Sequence, residues 1–203
     1  MGKSAYDRAE LSGILIGLVV LANIKVENPY VGALLFSLAL LVIIECDLDL
    51  YTGKVGFAKV GVMGEIPMRN LFEMLFRNLV GVGMIFFLNI KSTEIEKFIQ
   101  VAENKFVNNT AFELFIYGAM CGVLMFVAVY CKNTVITILC IMTFILSGWE
   151  HCIADFPYLC VVFSLENLWK YICIVAGNTF GSMYAHGLLV NYEDGKLWRK
   201  KDE

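Results

Sequence analysis

Few of the 203 residues carry charge: 17% are Asp, Glu, Lys or Arg, while 59% are hydrophobic. Soluble domains run at about a quarter charged. With a mean hydropathy of +0.69, such a chain has too few polar groups to cover a water-facing surface, and the solvent it implies is lipid. A bilayer-crossing helix takes roughly 20 mostly apolar residues, which leaves room for six or seven crossings and for no separate soluble domain. Metal-ligand spacing is missing too. The seven cysteines stand singly, with no Cys-x-x-Cys and no Cys/His cluster, so neither a structural zinc site nor a disulfide framework is expected. Phosphate-cradling glycine loops, nucleophile elbows and zinc-protease motifs are likewise absent, so no enzymatic turnover and no cofactor are expected. No basic cluster sits among aromatics as nucleic-acid binding requires, and the net charge is only −3. A cleavable signal peptide is not expected, because Asp7, Arg8 and Glu10 interrupt the first apolar run.

What is there is a series of apolar stretches, near Leu11–Ile24, Tyr30–Ile44, Leu71–Ile90, Ala111–Cys131, Thr134–Trp149 and Leu168–Val190. The second gives way to the polar cluster Glu45-Cys46-Asp47-Leu48-Asp49 and then a short patch, Val55–Val62. The fifth gives way to Ser147–Asp155 and the short patch Ile153–Ser164. Two segments therefore read as helices broken midway. Irregular backbone at membrane depth is tolerated only inside protein or along a water-filled path, so the breaks point to a binding site or pathway. Six crossings are expected. Lys3, Arg8, Lys54, Lys59, Arg69, Lys132 and the basic tail on one side outnumber Lys25, Lys91, Lys97, Lys105 and Lys170 on the other, which puts both termini in the cytoplasm.

The halves echo each other. Arg77-Asn78-Leu79-Val80-Gly81 is matched by Gly177-Asn178-Thr179-Phe180-Gly181, each an Asn-x-x-Gly in an apolar helix downstream of a broken one. Three crossings per half would set the halves in opposite orientation, as in many transport proteins. Repeat one spans about 9–90 and repeat two about 109–190, with 191–203 as a cytoplasmic tail.

The residues with chemistry to offer cluster at the second break, Ser147-Gly148-Trp149-Glu150-His151-Cys152-Ile153-Ala154-Asp155. The chain has only two histidines, and His151 stands there beside Glu150. An ionisable pair at membrane depth is a functional hypothesis by default; the plainer alternative is a pair in an interfacial loop. The other histidine, His186, reads as interfacial or packing. Arg77 is expected to pair with Glu73 one turn earlier or to snorkel. The pairs Gly81/Gly83 and Gly118/Gly122 are expected to let helices approach closely.

Gly148-Trp149-Glu150-His151-Cys152-Ile153-Ala154-Asp155 resembles the Gly-Phe-Glu-His-Ser-Ile-Ala-Asn signature of the formate/nitrite transporter family. Phe36-Ser37-Leu38-Ala39-Leu40, Asp49-Leu50-Tyr51-Thr52-Gly53 and Asn178-Thr179-Phe180-Gly181 resemble further family motifs in the same order. The resemblance implies an all-α membrane protein with six transmembrane helices in two inverted three-helix repeats, helices 2 and 5 broken, and an aquaporin-like protomer. It implies one transmembrane channel domain over 1–203 in the plasma membrane, assembled as a homopentamer, and passing a small monovalent anion such as formate, nitrite, hydrosulfide or a short carboxylate. Phe36, Leu40, Leu50, Tyr51 and Phe144 would form apolar constrictions. Thr52, in the loop breaking the second helix, would hydrogen-bond toward a central, proton-relaying His151. Glu150 and Asn178 would fix its surroundings. Lys105 would draw the anion in, or else is a solvated loop charge.

The chain departs from the family pattern where Asp47 replaces Gly, Glu45 replaces an apolar residue, Asp155 replaces Asn and Gly122 replaces Asn. Added carboxylates near an anion path repel the anion if they face it ionised, unless they pair with Lys54 or Lys59. A channel for a small neutral solute, or a non-conducting scaffold of the same fold, are the alternative readings.

Overall fold

The computed structural model describes residues 3–59, 65–89 and 92–199. The short patch after the first break and the extreme C-terminus therefore lie partly outside the described residues. The first half begins with α1 (Lys3–Lys25) and α2 (Pro29–Glu45), continues through the single turn α3 (Tyr51–Lys54), and ends with α4 (Met68–Asn89). After α5 (Ser92–Phe106), the second half repeats the pattern with α6 (Ala111–Cys131), α7 (Thr134–Leu146), α8 (Cys152–Val161) and α9 (Leu165–Arg199). The described residues contain no strand beyond an isolated bridge between Ala58 and Ile66.

Local sequence starts these helices where it should. Asn28 accepts the amides of Tyr30 and Val31 at the head of α2, with Pro29 in the first turn. Thr110 and Glu113 form a reciprocal capping box at α6, and Asn133 accepts the Ile136 amide at α7.

Both breaks end in the same turn. At the first, the Leu48 amide donates to Ile43 O at 2.8 Å and Asp47 N to Ile44 O at 3.2 Å, with Asp47 at φ 47°. At the second, Trp149 N donates to Phe144 O at 3.0 Å and Gly148 N to Ile145 O at 3.2 Å, with Gly148 at φ 67°. This is the six-to-one and five-to-two bonding of a Schellman ending, which wants a left-handed residue just past the helix. Gly148 meets that demand without strain. Asp47 meets it with a side chain, one of the few types that tolerate the region.

The tightest helix pairs are α1 with α4 and α6 with α9, and both are backbone-to-backbone contacts. A Cβ on Gly13 would stand 2.1 Å from Asn78 O, and one on Gly122 would stand 2.3 Å from Asn178 O. Gly81 and Gly118 also lie against facing backbone, as the small-residue pairs suggested, whereas Gly83 faces the side chains of Phe156 and Phe87. α2 lies against α1 and α7, and α8 is packed by α4, α5 and α9.

The α5 region was expected to be a loop and is instead a helix. Its sequence is charged, but Phe98, Ala102 and Phe106 recur every four residues on one buried stripe. Arg77 also departs from expectation. It donates to Glu10 of α1 at 3.3 Å and lies 4.8 Å over the Tyr6 ring, while Glu73 takes Arg69 and the Tyr6 hydroxyl. His186 packs, as expected, its ring 5.2 Å from Phe57 and 5.6 Å from Phe126.

Two described helices, Met68–Leu88 and Ala111–Cys131, are long and apolar enough to cross a membrane on those grounds alone. The outer surface carries large apolar side chains in quantity: Phe72, Phe76 and Phe87 of α4 are each more than 60% exposed, and Phe180, Tyr184 and Leu188 of α9 more than 50%. Contiguous patches of that kind mark surfaces meant for lipid or another protein.

Candidate functional site

Asn78 and Asn178 hold the two breaks by identical means. Asn78 Oδ1 accepts the Tyr51 amide at 2.8 Å, and its Nδ2 donates to Ala9 O and Asp49 O. Asn178 Oδ1 accepts the Cys152 amide at 2.9 Å, and its Nδ2 donates to Gly118 O and Glu150 O. Each asparagine is wholly buried, and each ties a long helix, its tightly packed neighbour and the broken segment with one amide. The backbone groups freed by each break are thereby satisfied, which is what irregular chain at this depth requires.

With the breaks fixed, their side chains converge. Thr52, on the single turn α3 rather than in a loop, places Oγ1 2.8 Å from His151 Nε2. His151 is also the N-cap of α8, its Nδ1 accepting the Ala154 amide at 3.2 Å. An Nδ1 that accepts leaves the proton on Nε2, so the geometry assigns the neutral tautomer whose Nε2–H points to Thr52. Both residues are at most 2% exposed. The His151 ring stacks on Phe144 at 5.8 Å, and Phe144 meets Phe36 edge-on at 6.1 Å.

Two cavities flank this centre. One, of about 360 Å³, is lined by Leu40 and Leu50 together with Glu45, Asp47, Lys54 and Lys132. The other, of about 170 Å³, is lined by Phe36, Phe144 and His151 and reaches Lys105, Asp155 and Tyr158. Four of the five residues expected at constrictions thus lie at a cavity wall. Tyr51 lines neither of these two cavities; its hydroxyl is 2.7 Å from Thr179 Oγ1.

Each cavity has its own ion cluster. On the α3 side, Asp49 takes Lys54 at 2.6 Å and Arg8 at 3.1 Å, and the exposed Asp47 lies 3.5 Å from Lys54. On the α8 side carboxylates outnumber the cation: Lys105 pairs with both Glu150 and Asp155, the latter at 3.2 Å. Lys105 is therefore not a solvated loop charge; its side chain is 19% exposed, and its ammonium lies 5.5 Å from the centre of the Tyr158 ring. Burial works against its charge, but Asp155 and Glu150 outweigh that and hold it above the ordinary lysine value. That Lys105 has two carboxylate partners is the main feature the sequence reading missed. Asp155 had been noted only as a departure from a motif, and the path of α5 carries no local signal.

The family model for formate/nitrite transporters matches residues 6–192. The chain belongs to the formate/nitrite transporter family. Among solved structures, a "Pentameric formate channel with formate bound" superposes with a TM-score of 0.72 at 20% identity, covering 96% of this chain and 96% of that one. An "FNT family ion channel" gives a TM-score of 0.72 at 22% identity, covering 94% of this chain and 88% of that one. At such identities the likeness is one of fold. No curated protein matches the chain. This formate/nitrite transporter family member is accordingly an all-helical membrane protein with the family's channel fold, its second and fifth apolar stretches broken at the residues that bear its polar centre.

Proposed function

We propose that this chain is a homopentameric, non-enzymatic channel in the plasma membrane that moves a small monovalent weak-acid anion, or its undissociated acid, past His151. Both termini face the cytoplasm, and each protomer crosses the membrane six times in two inverted halves. The observation that carries the reading is the Thr52–His151 pair, buried between two cavities whose walls include Phe36, Leu40, Leu50 and Phe144. A bare anion in such a constriction loses hydration at a cost of several kcal/mol, which a neutral acid largely avoids.

His151 acts at that point. Its Nε2–H offers a hydrogen bond to a permeant that displaces Thr52. To donate a proton outright, the ring must first take a second one on Nδ1, and that requires release of the Ala154 amide. The imidazolium then protonates the anion, the neutral acid crosses the apolar layer, and the ring recovers its proton from water. Proton relay and the capping of α8 are in this way one equilibrium.

The test is flux into proteoliposomes of formate, nitrite, hydrosulfide, acetate, lactate and urea at two pH values, with protein-free vesicles as baseline. Saturable, pH-dependent formate or nitrite flux is the expected result. Urea-driven swelling without any acid flux would favour a neutral-solute pore, and no flux of any kind a scaffold.

A further inference from the structure

The α8-side cavity contains a carboxyl group that the proposed transport cycle leaves unused. Asp155 is 2% exposed and lines the same 170 Å³ cavity as His151, Phe36 and Phe144. Its Oδ1 faces Lys105 at 3.2 Å, and its Oδ2 has no hydrogen-bond partner among the described residues. Buried polar atoms are nearly always satisfied, and one without a protein partner is suited to a ligand, a water or a proton. The titratable groups around it are Lys105 from α5, Glu150 and His151 from the break, Cys152 and Tyr158 from its own helix, Cys121 from α6 and Tyr171 from α9.

Charge counting then distinguishes the two ends of the path. The α3-side cluster sets Arg8 and Lys54 against Asp49 and the exposed Asp47, an even count, whereas the α8-side cluster sets Lys105 alone against two carboxylates. Among the described residues that line it, the α8-side cavity has no uncommitted positive charge with which to hold an anion. It does have a spare acceptor. The terminal carboxyl torsion of an aspartate is soft, so a small rotation presents either oxygen to the cavity. An undissociated weak acid carries an O–H or S–H to meet that acceptor, and an anion carries none.

Resting on the channel reading above, we propose that Asp155 is a specificity-determining residue. It binds the undissociated form of the weak acid by accepting its acidic hydrogen, and it turns away anions of strong acids by offsetting Lys105. The aspartate thus works as a filter for protonation state rather than for size. No covalent chemistry is involved at Asp155; the acid it holds already carries its proton, taken at His151 or in solution.

The experiment compares formate-driven acidification of the vesicle lumen with nitrate-driven current in proteoliposomes of the full chain. Wild type is expected to acidify on formate addition well above protein-free vesicles and to carry little nitrate. Asp155→Asn removes the negative charge and adds an N–H donor, so nitrate permeability relative to formate should rise at least tenfold. Asp155→Glu should keep the wild-type ratio. An Asp155→Asn ratio within twofold of wild type overturns the proposal and assigns Oδ2 to a proton shared with Glu150. Wild type carrying nitrate as readily as formate overturns it as well, without need of any variant that fails to reconstitute. If wild type moves neither solute, the channel reading itself is lost, an outcome distinct from the other two.

Discussion

Thr52 and His151 come from opposite halves of the chain, 99 positions apart, and meet at 2.8 Å between Oγ1 and Nε2. Neither half can make this contact alone, so the centre exists only once the halves have docked. Replacing Thr52 by Val keeps the volume but leaves the Nε2–H without its partner. An unsatisfied buried donor costs about 1–3 kcal/mol. Melting of the solubilised protein should fall accordingly, and Thr52→Ser should restore it. A Val variant as stable as wild type would mean that Nε2 has another acceptor.

His151→Asn keeps a polar side chain at the centre but removes the titrating ring. Weak-acid flux should then lose the part of its pH dependence that the ring's change of charge supplies, leaving only that of the acid's own ionisation. Stopped-flow uptake at five pH values would decide it; a variant with the wild-type profile sinks the relay.

Phe144 bridges His151 and Phe36 at the wall of the smaller cavity. Truncation to Ala opens the apolar wall that limits passage, so lactate should gain on formate in competition assays. Unchanged selectivity in a folded variant would reduce Phe144 to packing.

Asn78 and Asn178 each make three hydrogen bonds to the same kinds of partner. Either change to Ala strands several buried backbone groups, and losses of at least about 3 kcal/mol are expected from the cost per group. Thermal unfolding of the two variants should show drops of similar size. A mild effect at one site alone would contradict the equivalence of the halves.

Among the described residues Lys105 is the one cation paired with the two buried carboxylates Glu150 and Asp155, and removing one member of a buried ion cluster costs about 3–5 kcal/mol. Lys105→Gln should destabilise by about that much. Because the folded lysine sits above its ordinary value, its contribution is complete below that ordinary value and is lost only as pH rises through the higher folded one. Wild-type melting should therefore show no Lys105-linked loss between pH 7 and 9; a loss in that range would mean the ion cluster is weaker than its geometry implies.

These expectations draw unevenly on the sequence. The breaks were legible because polar residues, Glu45–Asp49 and Ser147–Asp155, interrupt runs that are otherwise apolar. Asn178 was legible from its echo at Asn78. The loop-to-helix correction at α5 has a physical cause: its charges dominate its composition, and only the four-residue recurrence of Phe98, Ala102 and Phe106 reveals a buried face. Arg77 chose Glu10 across a helix pair over Glu73 on its own helix, a choice fixed by the close glycine contact of α1 with α4. The joint claim of Glu150 and Asp155 on Lys105 depends on where α5 lies, which no local pattern specifies.

All the partners of Asn78 lie upstream of it in the chain: Ala9, Asp49 and Tyr51. By the time α4 has emerged during synthesis, the first re-entrant turn already has every group it needs to close. The second turn follows the same order, because Gly118, Glu150 and Cys152 all precede Asn178. Until α9 is in place, those backbone groups stand open in an apolar medium. Each half is thus completed by its last helix, α4 for the first and α9 for the second. Chains cut short before Asn178 should be the ones that cellular quality control removes.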